Sequence, residues 1–177
     1  MMQYQGPPPY PVMGSVSPDA GGGFLFTLGS IFNPSSTTWP AANRAIFVPF
    51  TLYEPATIAI MWHSNGVASG NLDLGIYSID GTRIISKGST ASSGLNTNQI
   101  LDITDTPLAA GKYYMACAFD NTTATSYAYA GTTRQSLMKL TGIYQMDSAF
   151  PLPATATFAT FTGTTIPQFG IATRTFV

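Results

Sequence analysis

The sequence predicts an all-β fold, an antiparallel β-sandwich of jelly-roll type with an extended N-terminal arm, and three observations support it. Short runs recur in which aliphatic residues alternate with polar or small ones, the two-residue period of a pleated strand. Turn-forming pairs such as Asp80-Gly81, Thr106-Pro107 and Ala110-Gly111 separate those runs. The 17 glycines and 13 prolines, beside abundant Thr, Ser and Tyr, favour strands and turns over helices.

The chain divides into an arm, residues 1–23, and a sandwich domain, residues 24–177. The arm holds Pro7-Pro8-Pro9, Pro11, Pro18 and Gly21-Gly22-Gly23, with Asp19 as its only charge. Prolines so placed favour extended polyproline II and remove backbone donors, so the arm cannot supply a central strand. A short apolar run follows at 24–28, and 33–40, N-P-S-S-T-T-W-P, reads as a loop. Residues 45–53 and 56–63 read as a strand pair interrupted at Glu54-Pro55. Pro49 points to an edge position or a bulge, and Ile58, Ile60 and Trp62 are expected on one face.

The organising stretch is 71–119. Leu72, Leu74 and Ile76 alternate with Asp73, Gly75 and Tyr77. Gly81 can take the positive φ of a tight turn, so 82–87 should fold back antiparallel. Two further runs, 99–103 and 112–119, complete four strands expected to form one sheet, whose apolar face needs a second sheet to cover it. Beyond Phe119, 125–130 reads as a strand. Residues 134–146 read as a short helix or a crossing loop, and 154–162 and 169–177 as the last strands. The count is about nine or ten strands, at the spacing of a sandwich.

At 177 residues the chain holds one domain with a sizeable core. Charged residues make up 8%, against about 25% in a typical soluble domain, so much of the surface is expected to be covered by partners, copies of the chain included. A net charge of -1 gives no field for nucleic acid or an anionic membrane. No apolar run reaches the roughly 18 residues of a membrane span, and the N-terminus lacks the pattern of a secretory signal, so general export is not expected. Cys117 stands alone on a strand and reads as a small buried hydrophobe.

Catalysis finds little to work with. The single histidine, His63, reads as a solvent-facing residue at a strand end, and it cannot form a clustered zinc site. No nucleophile elbow, Walker or dinucleotide glycine pattern is present. Paired carboxylates could in principle hydrolyse glycosides, drawing on Glu54, Asp73, Asp80, Asp102, Asp105 and Asp120. Yet Asp80, Asp105 and Asp120 read as turn formers, and Asp102 points outward from Leu101 and Ile103. A calcium site at Asp102, Asp105 and Asp120 has no ligand spacing behind it, and no cofactor is implied. The chain is therefore read as a non-enzyme. Asn121-Thr122-Thr123 matches a glycosylation triplet, a match of little weight without an export signal. A binding module is the stronger alternative. Asp120, Asn121, Tyr127 and Tyr129 could offer flat rings and polar groups to a glycan, although tyrosines in strands commonly pack on neighbours.

The segments N-L-D-L-G-I-Y-S-I-D-G-T-R-I-I-S-K-G-S-T (71–90), L-A-A-G-K-Y-Y-M-A-C-A-F-D (108–120) and S-A-F-P-L-P-A-T-A-T-F (148–158) resemble a β-sandwich domain of virion structural proteins of tailed bacteriophages. The resemblance spans about 45–158 and brings no catalytic residues. It implies a structural protein of the particle, assembled in the host cytoplasm, with decoration of the capsid favoured over the tail or its fibres. The expected partners are other virion proteins and copies of the chain, for instance in a trimer. Tyr4, Pro7, Pro8, Pro9, Tyr10, Pro11 and Phe24 are the expected docking residues of the arm, and host-surface glycan is the alternative ligand.

Overall fold

The computed structural model describes residues 24–26, 35–130 and 142–173. Among them there is no helix, and fourteen strands form two antiparallel sheets packed face to face as a β-sandwich. Sheet A contains β1 (Phe24–Phe26), β2 (Ser35–Thr38), β4 (Ala56–Val67), β8 (Leu95–Leu108), β10 (Thr125–Ala130), β13 (Thr165–Pro167) and β14 (Phe169–Thr173). Sheet B contains β3 (Ala45–Leu52), β5 (Asn71–Ser78), β6 (Arg83–Ser86), β7 (Thr90–Ala91), β9 (Gly111–Phe119), β11 (Tyr144–Met146) and β12 (Ala159–Thr160).

The alternation read from 71–78 and 112–119 places the main core. Leu72, Leu74 and Ile76 of β5, with Met115, Cys117 and Phe119 of β9, face sheet A and bury against Ile58, Met61, Leu101, Phe169 and Ile171. Cys117 is fully buried, and burial pushes its thiol well above the usual range. The Asp80-Gly81 turn forms as expected, with Gly81 at φ +88° and β5 paired antiparallel with β6. Pro49 lies beyond the three residues of β3 that pair with β11, where the missing N–H removes no ladder bond on that side.

Four expectations give way. The strands of 71–119 do not form one sheet, because β8 pairs along β4 in sheet A while β5, β6 and β9 lie in sheet B. The runs on either side of Glu54-Pro55 likewise part into different sheets. Thr106-Pro107 is no turn: β8 continues through both to Leu108, and Asp105 sits inside the strand. Finally, Ile58 and Trp62 do not share a face, because Ala59 is an extra residue in β4: Ile58 and Ile60 pair with the successive residues Thr173 and Ala172 of β14. The bulge inverts the alternation, so Met61, His63 and Asn65 join Ile58 inside while Ile60 and Trp62 turn outward.

The outer side of sheet B is covered as well. Residues 147–158, of which 154–158 were expected to begin a strand, instead lie across that side as an extra layer. Ala45, Phe47, Tyr77, Ala116 and Ala118 bury there against Ala149, Leu152 and Ala156. Backbone bonds hold the layer: Ala149 N donates to Asn43 O (2.6 Å), Arg83 N to Ala154 O (2.9 Å) and Ala156 N to Gly81 O (2.8 Å). Of the ambiguous 134–146, the described part is a turn at Gly142 followed by β11, and 134–141 lie outside the described residues.

Candidate functional site

His63 is in the core, not in solvent. The bulge in β4 turns its ring inward, where it meets the face of Phe119 edge-on at a centroid distance of 5.1 Å. Asn65 is two residues on, hence on the same face, and Ser126 of β10 pairs directly with Asn65 across the ladder. The amide nitrogen of Asn65 donates to Gln99 Oε1 (3.1 Å) and to Ser93 O, so its Oδ1 is left to accept from His63 Nδ1 at 2.8 Å. That fixes the tautomer: Nε2 carries no proton and accepts from Ser126 Oγ at 2.7 Å. Burial pushes the imidazole pKa down to about 4, with the bond to Asn65 only partly opposing it.

Hydroxyl, imidazole and amide thus stand in the order used for nucleophilic catalysis. The resemblance ends at access, because His63 and Asn65 are 0% exposed and Ser126 2%. No acyl group can reach Ser126 Oγ while the sheets are packed. What the cluster does is satisfy polar groups between the sheets.

A second buried polar group joins the layers. Asp73 accepts from Ser86 Oγ (2.8 and 2.9 Å), Gly88 N (2.9 Å) and Leu152 N (3.0 Å). Burial raises its pKa, and these bonds with the charge of Arg83 offset that only in part. Tyr77 adds a bond from its hydroxyl to Pro153 O at 2.6 Å, and the Arg83 guanidinium donates to Leu152 O. One strand therefore pins both the 86–88 loop and the covering layer.

The glycan candidates fall in two places. Asp120 and Asn121 tie the loop at the end of β9 to the start of β5. Asp120 accepts from Asn71 N (3.0 Å), Asn71 Nδ2 (2.8 Å) and Asn121 Nδ2, while Asn121 Oδ1 accepts from the backbone of Thr123 and Ala124. Burial opposes the charge on Asp120, yet these bonds outweigh it and hold the carboxyl below its usual range. Tyr127 lies on the outer face of sheet A, where its hydroxyl bonds Asn96 Oδ1 at 3.1 Å, apart from those two residues. Tyr129 pairs with Ile166 through the backbone, and its side chain lies outside the described residues. So do Tyr4, Pro7, Pro8, Pro9, Tyr10 and Pro11, while Phe24 opens β1 opposite Ala172.

That outer face holds a residue which sequence reasoning misplaced. Trp62 stands between Gly170 of β14, which has no side chain, and Ile100 of β8, which is 58% exposed. Its indole Nε1 is shut off from solvent and has no hydrogen-bond partner among the described residues. Beside it Ser64 Oγ donates to Asn98 Oδ1, leaving the Asn98 amide nitrogen free. At the open edge between the sheets, Ile85, Ser86, Lys87, Asp102, Ile103 and Thr104 line a cleft of about 360 Å³, in which Lys87 Nζ donates to Asp102 O at 2.7 Å. Among the described residues no group of three or more His, Cys, Asp or Glu side chains comes together as a metal site. Comparison with protein-family models, curated proteins and solved structures finds no match to this chain.

Proposed function

We propose that this protein is a structural component of a tailed-bacteriophage virion, a jelly-roll module that decorates or stabilises the particle and attaches through residues 1–23. The observation that carries the reading is the surface. Only 8% of residues are charged, and large apolar side chains stand out from the fold, among them Leu95 at 68%, Ile79 at 61% and Ile100 at 58% exposed. Such a surface favours association over a solitary life in solution. Consecutive strands that pass between the sheets, as β3, β4 and β5 do, support the jelly-roll topology. The absence of a reachable nucleophile in the His63 cluster fits a role in assembly rather than turnover.

The sandwich begins at Phe24, so removing residues 1–23 takes away none of its described strands. The shortened chain is expected to fold and to be missing from purified particles, and its normal incorporation would refute the reading. Copy number then separates the locations, since hundreds per particle place it on the capsid and a few tens or fewer on the tail. A second reading, recognition of host-surface glycan, draws on Tyr127 beside Asn96. Retention of the protein on host envelope polysaccharide, lost in Tyr127→Ala, is the result it requires.

A further inference from the structure

We propose that β8 is a self-pairing edge: a second copy of the chain adds its own β8 antiparallel to it, about a twofold axis at Ile100, and joins two A sheets into one. β8 pairs with β4 along one side, and among the described residues no strand pairs with its other side. It runs for 14 residues, whereas β1 and β13, at the two ends of the strand order, have 3 each, so β8 is the long open edge of sheet A. Edges of this length are ordinarily guarded by charge, proline or a bulge. Here Asp102, Asp105 and Pro107 crowd one end, while Ile100 in the middle is 58% exposed.

The pairing with β4 fixes which backbone groups of β8 are open. Ser64 N donates to Gln168 O (3.0 Å), so its amide points to the β14 side of β4. Backbone groups alternate along a strand, so those of His63 and Met61 point the other way, to Gln99 and Leu101 of β8. The residues between and beside them, Asn98, Ile100 and Asp102, then turn N–H and C=O away from β4. A second contact agrees: Lys87 Nζ, arriving from the sheet B side, donates to Asp102 O at 2.7 Å, and a carbonyl keeps a second lone pair. Irregularities bound this trio on both sides. Asn96 has φ +52°, and beyond Asp102 the ladder shifts, with Asp102 opposite Ile60 but Thr106 opposite Ile58.

A twofold axis at Ile100, the middle residue, uses all three. Ile100 meets its own counterpart, which covers an exposed aliphatic side chain with its equal, and Asn98 of each copy lies opposite Asp102 of the other. Asn98 Oδ1 already accepts from Ser64 Oγ, so its amide nitrogen is the free donor, and the exposed Asp102 carboxylate is the acceptor it needs. Symmetry forms that match twice. Other registers lose it: an axis at Asp102 sets two carboxylates face to face, and one at Asn98 two amide donors. The edge is therefore complementary to itself, which selects a second copy over an unrelated strand.

The test uses the full chain, following oligomeric state by sedimentation velocity and amide exchange by NMR as concentration rises to about 1 mM, where an interface of this small size should associate. The expected result is a dimer in which the amides of Asn98, Ile100 and Asp102 gain protection with concentration while those of Gln99 and Leu101 do not change. Both Asn98 and Asp102 are exposed, so substitutions there keep the fold. Asn98→Asp retains the acceptor for Ser64 but sets a carboxylate against Asp102, and should raise the dimer dissociation constant about tenfold. Adding Asp102→Asn restores amide against carboxylate and should return the constant close to its original value. A chain still monomeric at the highest concentration, or an oligomer that leaves Ile100 exchange unchanged, overturns the proposal. So does a dissociation constant that Asn98→Asp does not raise or that Asp102→Asn does not recover. Protection of Ile100 that is independent of concentration also overturns it, by assigning the edge to the chain itself. Every readout is made on the purified chain and stands apart from whether the protein enters virions.

Discussion

Acidification is the sharpest probe of the buried His63 cluster. In the fold the imidazole stays neutral until pH falls to about 4, whereas in the unfolded chain it takes up its proton near 6.5. Between those values the unfolded state binds the proton and the folded state does not, so stability is lost as pH falls through the window. The ring is fully buried, so no solvent screening reduces the effect. With these two values, the loss from pH 7.5 to 4.5 is on the order of 2–3 kcal/mol. The groups packed on the ring are Asn65, Ser126 and Phe119, and none of them carries a charge that could offset imidazolium. Asp73 acts in the opposite sense. Its raised pKa means that the folded state binds the proton first, so its share of stability rises as pH falls through its own window. Wild-type acid sensitivity is therefore a net figure, and the His63 part must be isolated by comparison with His63→Gln. Urea unfolding at pH 7.5 and 4.5 should show the wild type losing on the order of 2–3 kcal/mol more than the variant over that interval. Equal losses in the two proteins would refute both the buried position of His63 and the bulge that puts it there.

Two substitutions examine the covering layer. Gly81→Ala should destabilise by about 1–3 kcal/mol in urea unfolding, because φ is +88° and a Cβ would stand 2.6 Å from Ala156 O, and an unchanged midpoint would contradict this turn. Asp73→Asn replaces an acceptor of three donor groups with an amide that has only one oxygen, leaving Gly88 N or Leu152 N unpaired. The expected cost is about 1–3 kcal/mol, with faster proteolytic cleavage within 147–158, and cleavage at the wild-type rate would show that the carboxylate does not pin the layer.

How far the sequence could be read depended on whether local periodicity carried the information. The turn at Gly81 and the inward faces of β5 and β9 did lie in that pattern, since each needs only its own residues to specify it. The fate of His63 did not. A bulge adds one residue to one strand without a composition signal, and here, against β14, it falls among Ile58, Ala59 and Ile60, all apolar enough for either face. Every position after it changes sides, which moved His63 inward and Trp62 outward in a single step. Sheet membership was equally out of reach, because β8 leaves its sequence neighbours for β4 through long-range pairing that no short window contains.

The covering layer, by contrast, left a signal that an alternation search passes over. In M-A-C-A-F of β9 and A-I-F-V of β3, the residues between the inward-facing ones are Ala116, Ala118, Ala45 and Phe47, small or apolar where a solvated face would carry polar side chains. A run apolar on both sides is a strand buried on both sides. Gly75 completes the argument, since a Cβ there would stand 2.9 Å from both Ile85 O and Leu152 Cδ1, a separation only a missing side chain permits. The centre of sheet B, at β3, β5 and β9, is thus covered on both faces, whereas the outer face of sheet A carries exposed Ile100 and an indole donor with no acceptor among the described residues. Among the described residues, A is the sheet whose outer face physical chemistry leaves incomplete, and contacts to it should be sought there first.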